Sequence, residues 1–154
     1  MASIVLGCDS AAVSLKNEIL ALLKMGGSDV EDLGVQEQSD ETPYPLVAER
    51  VATKIIDSGY LKKGILICGT GIGMAIAANK FPGIHAAQVS DIYSAERACL
   101  SNNANVITLG ARTLGPELAK RLVTEWLQHE FVPGRSSWKI DAIKEIEKRN
   151  FRHE

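Results

Sequence analysis

GILICGTGIGMAIAANK, from Gly64 to Lys80, decides how this chain is read. Four residues of strand type run through Cys68 into three alternating glycines, Gly69, Gly71 and Gly73, and then into a segment of helix type. A buried strand that turns through glycine into a helix holds its last side chain, here a thiol, at the carboxyl end of a sheet. Free backbone N–H groups around such a turn favour negative charge. A thiol beside an anion cradle points to acid–base or nucleophilic chemistry on a small anion. The same glycines also suit a plain tight turn, and spacing alone leaves that open.

Outward from this stretch the same alternation repeats. Ser3 to Cys8 is apolar and ends at Asp9-Ser10; Val13, Leu15, Ile19, Leu20, Leu22 and Leu23 then recur at helical spacing up to Gly26-Gly27. Val30 to Leu33 reads as a short strand. Pro45 opens a helix with Val47, Val51 and Ile55 on one face, closed by Gly59. Gly83 to Val89 reads as a strand, with Ser90 or Asp91 capping the helix that runs to about Cys99. Asn105 to Leu109 is the fifth strand, and Gly115-Pro116 open a helix striped by Leu118, Leu122, Val123, Trp126 and Leu127. Past Pro133-Gly134, Ile140, Ile143 and Ile146 stripe a last charged helix, about 139–149. The expected fold is α/β: a single-domain, Rossmann-like three-layer αβα sandwich over residues 1–154, with a five-stranded parallel sheet. Ligands of open parallel sheets bind beyond the carboxyl ends of the strands. Those ends hold Cys8 to Ser10, Cys68 to Gly73, Ser90 and Asp91, and Gly110 to Arg112.

Composition narrows the function. With 154 residues, 45% hydrophobic and 23% charged, the chain has the makeup of a soluble globular domain. A net charge of -2 gives no reason to expect nucleic acid or an acidic membrane surface. No apolar run approaches the roughly 20 residues of a bilayer span, and the start lacks the basic segment of a signal peptide. Three dispersed cysteines, Cys8, Cys68 and Cys99, suit reduced thiols in the cytoplasm. Cys8 and Cys99 read as small buried apolar residues. The histidines, His85, His129 and His153, are too scattered for a metal site. Two familiar glycine motifs fail: in G-x-G-x-x-G the third glycine falls on Met74 or Ile76, and a phosphate loop needs a lysine far closer than Lys80.

The string ICGTGIGMAIAANKFPGI resembles the type B ribose-5-phosphate isomerases and the two subunits of galactose-6-phosphate isomerase. Further blocks agree in order and spacing: GCDSA, Tyr44-Pro45, YSAERA from Tyr93, NNANVITLGAR from Asn102 and GRSS from Gly134. The resemblance implies an aldose–ketose isomerase of a phosphorylated sugar, first of all ribose 5-phosphate to ribulose 5-phosphate, without metal or cofactor. It implies Cys68 as the base between C1 and C2, since the alternative glutamate position is Ala75 here. Gly69, Thr70, Gly71, Gly73 and Asn102 are implied to support the enediolate. Asp9 is implied to bind sugar hydroxyls, Ser10, Tyr44 and Ser101 to line the substrate pocket, and Arg112 and Arg135 to hold the phosphate, with Lys139 beside them. It also implies a homodimer or dimer of dimers whose sites are shared, with the last helix packing on the partner subunit.

The chain departs from that pattern where histidines are usual, at Ser10, at Ser101 and at Ser136, and it has Lys139 in place of an arginine. The family's ring-opening histidine is the one replaced by Ser101. A sugar that cyclises needs a proton moved on and off its ring oxygen, work for which serine is poorly suited. Three explanations are open: a substrate that cannot cyclise, such as a tetrose phosphate, slow ring opening by Asp9 and a water, or a mixed dimer. The alternative functions are an isomerase of another sugar phosphate, tetrose or hexose, and a sugar-phosphate-binding relative without catalysis.

Overall fold

The computed structural model describes residues 2–151; His153 lies outside them. Five strands, β1 (Ser3–Cys8), β2 (Asp29–Asp32), β3 (Lys63–Cys68), β4 (Ala86–Gln88) and β5 (Val106–Gly110), form one parallel sheet in the order β2-β1-β3-β5-β4. β1, β3 and β5 are apolar almost throughout because helices cover both faces of the sheet. The helices are α1 (Val13–Met25), α2 (Tyr44–Asp57), α3 (Ile72–Ala78), α4 (Ile92–Leu100), α5 (Pro116–Leu127) and α6 (Ser137–Asn150). Right-handed crossovers put α2 and α3 on one face and α1, α4 and α5 on the other, in agreement with the contacts between these helices. The core is continuous across both layers, from Ile4, Leu6 and Ile65 to Met74, Leu122 and Trp126.

Most expected elements are present, with adjusted ends. The fourth strand is shorter than Gly83 to Val89. Gly83 turns with φ 75°, and Asn105 takes the backbone of His85 and Gly83 into side-chain hydrogen bonds. Asn79 likewise donates to the carbonyl of Ala86 and accepts its N–H, standing in for a neighbouring strand on this edge. Asp91 rather than Ser90 caps α4, accepting from the amide of Ser94 at 2.8 Å. α2 opens one residue before Pro45, and α6 begins at Ser137, ahead of the expected 139. α6 buries Ile140 alone and leaves Trp138, Ile143 and Ile146 exposed. No helix among the described residues is long and apolar enough to cross a membrane.

Candidate active site

Register places the thiol. Cys68 is the last residue of β3, level with Gly110 on one side, while Ile67 is level with Cys8 on the other. The chain leaves the sheet through Gly69 and Thr70 and re-enters regular structure at α3. Cys68 is 5% exposed, and its Sγ accepts a hydrogen bond from the amide of Gly71 at 3.2 Å. That amide points at the sulfur because Gly71 adopts φ 80°, in the left-handed region. A side chain there would stand 3.0 to 3.1 Å from the backbone of Leu109. The fully buried Thr108 donates to the Gly71 carbonyl at 2.7 Å and fixes the peptide from the far side.

Other expected residues converge on this loop. β3 and β5 stay paired past their ends: Ala111 N donates to the carbonyl of Cys68 at 2.8 Å and Arg112 N to that of Gly69 at 2.9 Å. The Arg112 side chain therefore lies along Gly69, where an added Cβ would be 3.4 Å from its Cδ and Nη1. Tyr44, first residue of α2, lies on Gly73, and a Cβ there would meet its ring at 2.5 Å. The third glycine of the run thus makes room for an aromatic wall. Asp9 donates its amide to the carbonyl of Ile67 at 3.2 Å, and its carboxylate accepts from Ala11 N, which starts the turn at Ser10. Thr70 accepts from the amide of Ile72 at 3.2 Å. Asp9, Ser10, Tyr44, the Cys68–Gly73 loop and Arg112 thus occupy one edge of the sheet. A thiol, a carboxylate, a phenol and an exposed guanidinium there can bind a polar anion and move a proton at it.

Ser101, Asn102, Arg135 and Lys139 occupy the other edge. α4 runs from the carboxyl to the amino ends of the strands, and Asn105 at its far side accepts from Gly64 N at 2.9 Å. Gly64 is four residues, about 13 Å, from Cys68. α5 ends at the same level, where Trp126 Nε1 donates to the carbonyl of Ala104. The segment after it packs beside Asn103: that residue, Phe131, Pro133, Ser137 and Ile140 line a common cleft of about 250 Å³. Ser101 Oγ accepts from Arg97 Nε at 2.6 Å. Within one chain, then, the expected residues form two groups at opposite ends of the strands.

The sequence reading missed Thr108 and the buried pair of Lys16 and Asp32. Lys16, fully buried, donates to Asp32 at 2.7 Å and to Gln36 at 3.4 Å; Asp32 also accepts from Gly34 N. This network backs the end of β1 behind Asp9. Cys8 beside it is inert, its thiol pushed from 9.0 up to about 12 by burial. Burial also pushes the Cys99 thiol up. Just past α5, His129 Nε2 lies 2.8 Å from Glu125, with Glu96 of α4 nearby, a polar cluster away from the loop.

The family model described as ribose/galactose isomerase matches residues 4–143. A D-erythrulose-4-phosphate isomerase of Pectobacterium atrosepticum is 51% identical over 93% of this chain and 93% of its own length. A ribose-5-P isomerase B of Listeria innocua is 46% identical over 96% of this chain and 98% of its own. Among solved structures, ribose-5-phosphate isomerase B of Clostridium thermocellum superimposes with a TM-score of 0.90 at 41% identity, covering 96% of this chain and 98% of that one. With matches spanning nearly the whole chain in sequence and in fold, the protein belongs to the ribose/galactose isomerase family of enzymes.

Proposed function

We propose that this protein is an aldose–ketose isomerase of a phosphorylated sugar in which Cys68 is the base. The observation that carries this reading is the sulfur at the mouth of the loop, held by the Gly71 amide, with the Arg112 side chain alongside. The thiolate takes the proton from C2 of the aldose, giving an enediolate. The resulting thiol returns it to C1, while the hydroxyl proton passes from O2 to O1. The loop's free amides and Asn102 support the enediolate charge, Asp9 and Tyr44 hold the sugar, and Arg112 takes the phosphate with Arg135 and Lys139.

Because Asn102, Arg135 and Lys139 lie at the edge opposite Cys68, the site is completed by a second copy. A two-fold axis beside β4 brings the carboxyl edge of one chain to the amino edge of the other, twice per dimer. The exposed Ile72 and Ile76 on α3 and Tyr93 on α4 supply apolar surface for this pairing, and Ile143 and Ile146 let α6 pack on the partner.

The favoured substrate is a tetrose 4-phosphate and its ketose. With O4 phosphorylated, such a sugar has no hydroxyl able to close a five- or six-membered ring, so it needs no ring opening. Ser101, in the ring-opening position, accepts a hydrogen bond from the permanently charged Arg97, which makes its oxygen a poor base. A second reading, ribose 5-phosphate, is supported by the Listeria relative. The test is isomerisation of erythrose 4-phosphate, ribose 5-phosphate and allose 6-phosphate by wild type and Cys68→Ala. Erythrose 4-phosphate is expected to lead in kcat/KM by about 100-fold, the scale of one missing acid–base group. Equal or faster turnover of ribose 5-phosphate would reverse the substrate assignment, and binding without turnover of all three would make the protein a sugar-phosphate-binding relative.

A further inference from the structure

The amino edge of the sheet carries a cavity of about 510 Å³, away from the Cys68 loop. That volume lies within the roughly 300–1,000 Å³ of small-molecule sites. Its walls come from the turns that precede β3, β4 and β5 and from the second half of α6. Three observations meet there.

The first is an orphaned polar atom. His85 lines the cavity, and its Nε2 is enclosed without a hydrogen-bond partner. Glu147 Oε1 stands 3.9 Å away, beyond hydrogen-bond reach, and accepts instead from Gly83 N at 2.8 Å. The second is backbone strain. Among the described residues, the non-glycine positions with positive φ are Tyr60 at 63° and Asn103 at 49°, and both line this cavity. Asn103 takes the left-handed turn that ends α4, with Ala104 N donating to the carbonyl of Ala98 at 2.8 Å. Tyr60 is a residue type for which such a conformation persists only where the surroundings enforce it. Tyr60 is so enforced: its hydroxyl donates to the carbonyl of Pro82 at 2.9 Å and its ring covers Gly83.

The third observation is charge. Lys62, Lys63, Lys144 and Lys148 line the cavity, against Glu147 as the one carboxylate among its lining residues. Lys148 pairs with Glu145. Lys62 donates only to the hydroxyl of Ser3, and Lys63 lies over the Trp126 ring at 5.2 Å. Neither of these, nor Lys144, has a carboxylate partner among the described residues.

We propose that this cavity is a second binding site, for a small organic phosphate. Its phosphate oxygens face the lysine ammonium groups, while its carbon skeleton lies against Tyr60 and Leu61. The site stands whether or not Cys68 is the catalytic base. It borders the catalytic half lent to the second copy, since Asn103 follows Asn102 and α6 carries Lys139.

The test is calorimetric titration of the full-length protein with AMP and with inorganic phosphate, which needs no turnover. A binding event is expected that survives Arg112→Ala and weakens at least tenfold in Lys144→Glu/Lys148→Glu, whose exposed positions leave the fold intact by circular dichroism. Absence of binding by both probes in wild type would overturn the proposal. So would binding that disappears with Arg112→Ala and is unchanged in the lysine variant, because the anion would then be in the Cys68 site.

Discussion

Replacing Gly71 by alanine strains the loop in two separable ways. A non-glycine residue at φ 80° costs about 1 kcal/mol in the left-handed region. In addition, the new Cβ would stand 3.0 to 3.1 Å from the carbonyl carbon, nitrogen and oxygen of Leu109. These are backbone atoms of a buried strand and cannot swing aside as a flexible side chain does, so overpacking adds about 2 kcal/mol. The total, about 3 kcal/mol, lowers Tm by about 6–12 °C for a chain of this size. Gly59→Ala is the internal control: φ is 68°, but nothing lies within 4 Å of its Cβ position. It carries the conformational cost alone, about 1 kcal/mol and 2–4 °C. Thermal unfolding followed by circular dichroism reads both variants. Only Gly71→Ala moves the amide that donates to Cys68, so it alone is expected to lower kcat. Equal Tm losses in the two variants, or wild-type kcat in Gly71→Ala, would refute this reasoning.

Other consequences follow from buried groups. Lys16→Met leaves the Asp32 carboxylate without its cation, a loss of about 3 kcal/mol that denaturant unfolding measures; an unchanged midpoint would mean the pair contributes nothing. Cys8 makes stability fall at alkaline pH. Its thiol ionises at 9.0 in the unfolded chain but near 12 in the fold, so between those values the unfolded state alone sheds a proton and is favoured. Cys8→Ala is therefore expected to lose less stability than wild type from pH 9 to pH 11, and parallel curves would contradict this.

Much of the architecture was legible in the sequence because apolar runs and glycine or proline breaks fall at element boundaries. Ser3–Cys8, Lys63–Cys68 and Val106–Gly110 are apolar almost throughout, as central parallel strands must be. The fourth strand was overextended because Gly83 to Val89 is apolar enough for a strand, while the side chains that shorten it, Asn79 and Asn105, act from other elements. The loop, Arg112 and Tyr44 were readable as motif positions. Their meeting over Gly69 and Gly73 depends on the β3–β5 register and on the entry of α2, which no local pattern encodes. Thr108 and Lys16 were illegible for the same reason. A threonine inside a strand and a lysine on a helix look ordinary until the partner, Gly71 or Asp32, is known. The separation of Asn102 from Cys68 follows from strand direction, since Asn102 precedes β5 whereas Cys68 ends the parallel neighbour β3, and Arg135 follows α5, which runs back to the amino edge.

The central claim, a Cys68 site completed by a second chain, is tested most directly by mixing two inactive variants. Cys68→Ala and Arg135→Ala are each purified, combined in equal amounts, and allowed to exchange subunits before turnover of erythrose 4-phosphate is measured. A mixed dimer keeps one site with both groups intact, and half of all dimers are mixed, so activity is expected to return to about a quarter of wild type. Exchange without any recovery would place Cys68 and Arg135 in the site of one and the same chain and contradict the account.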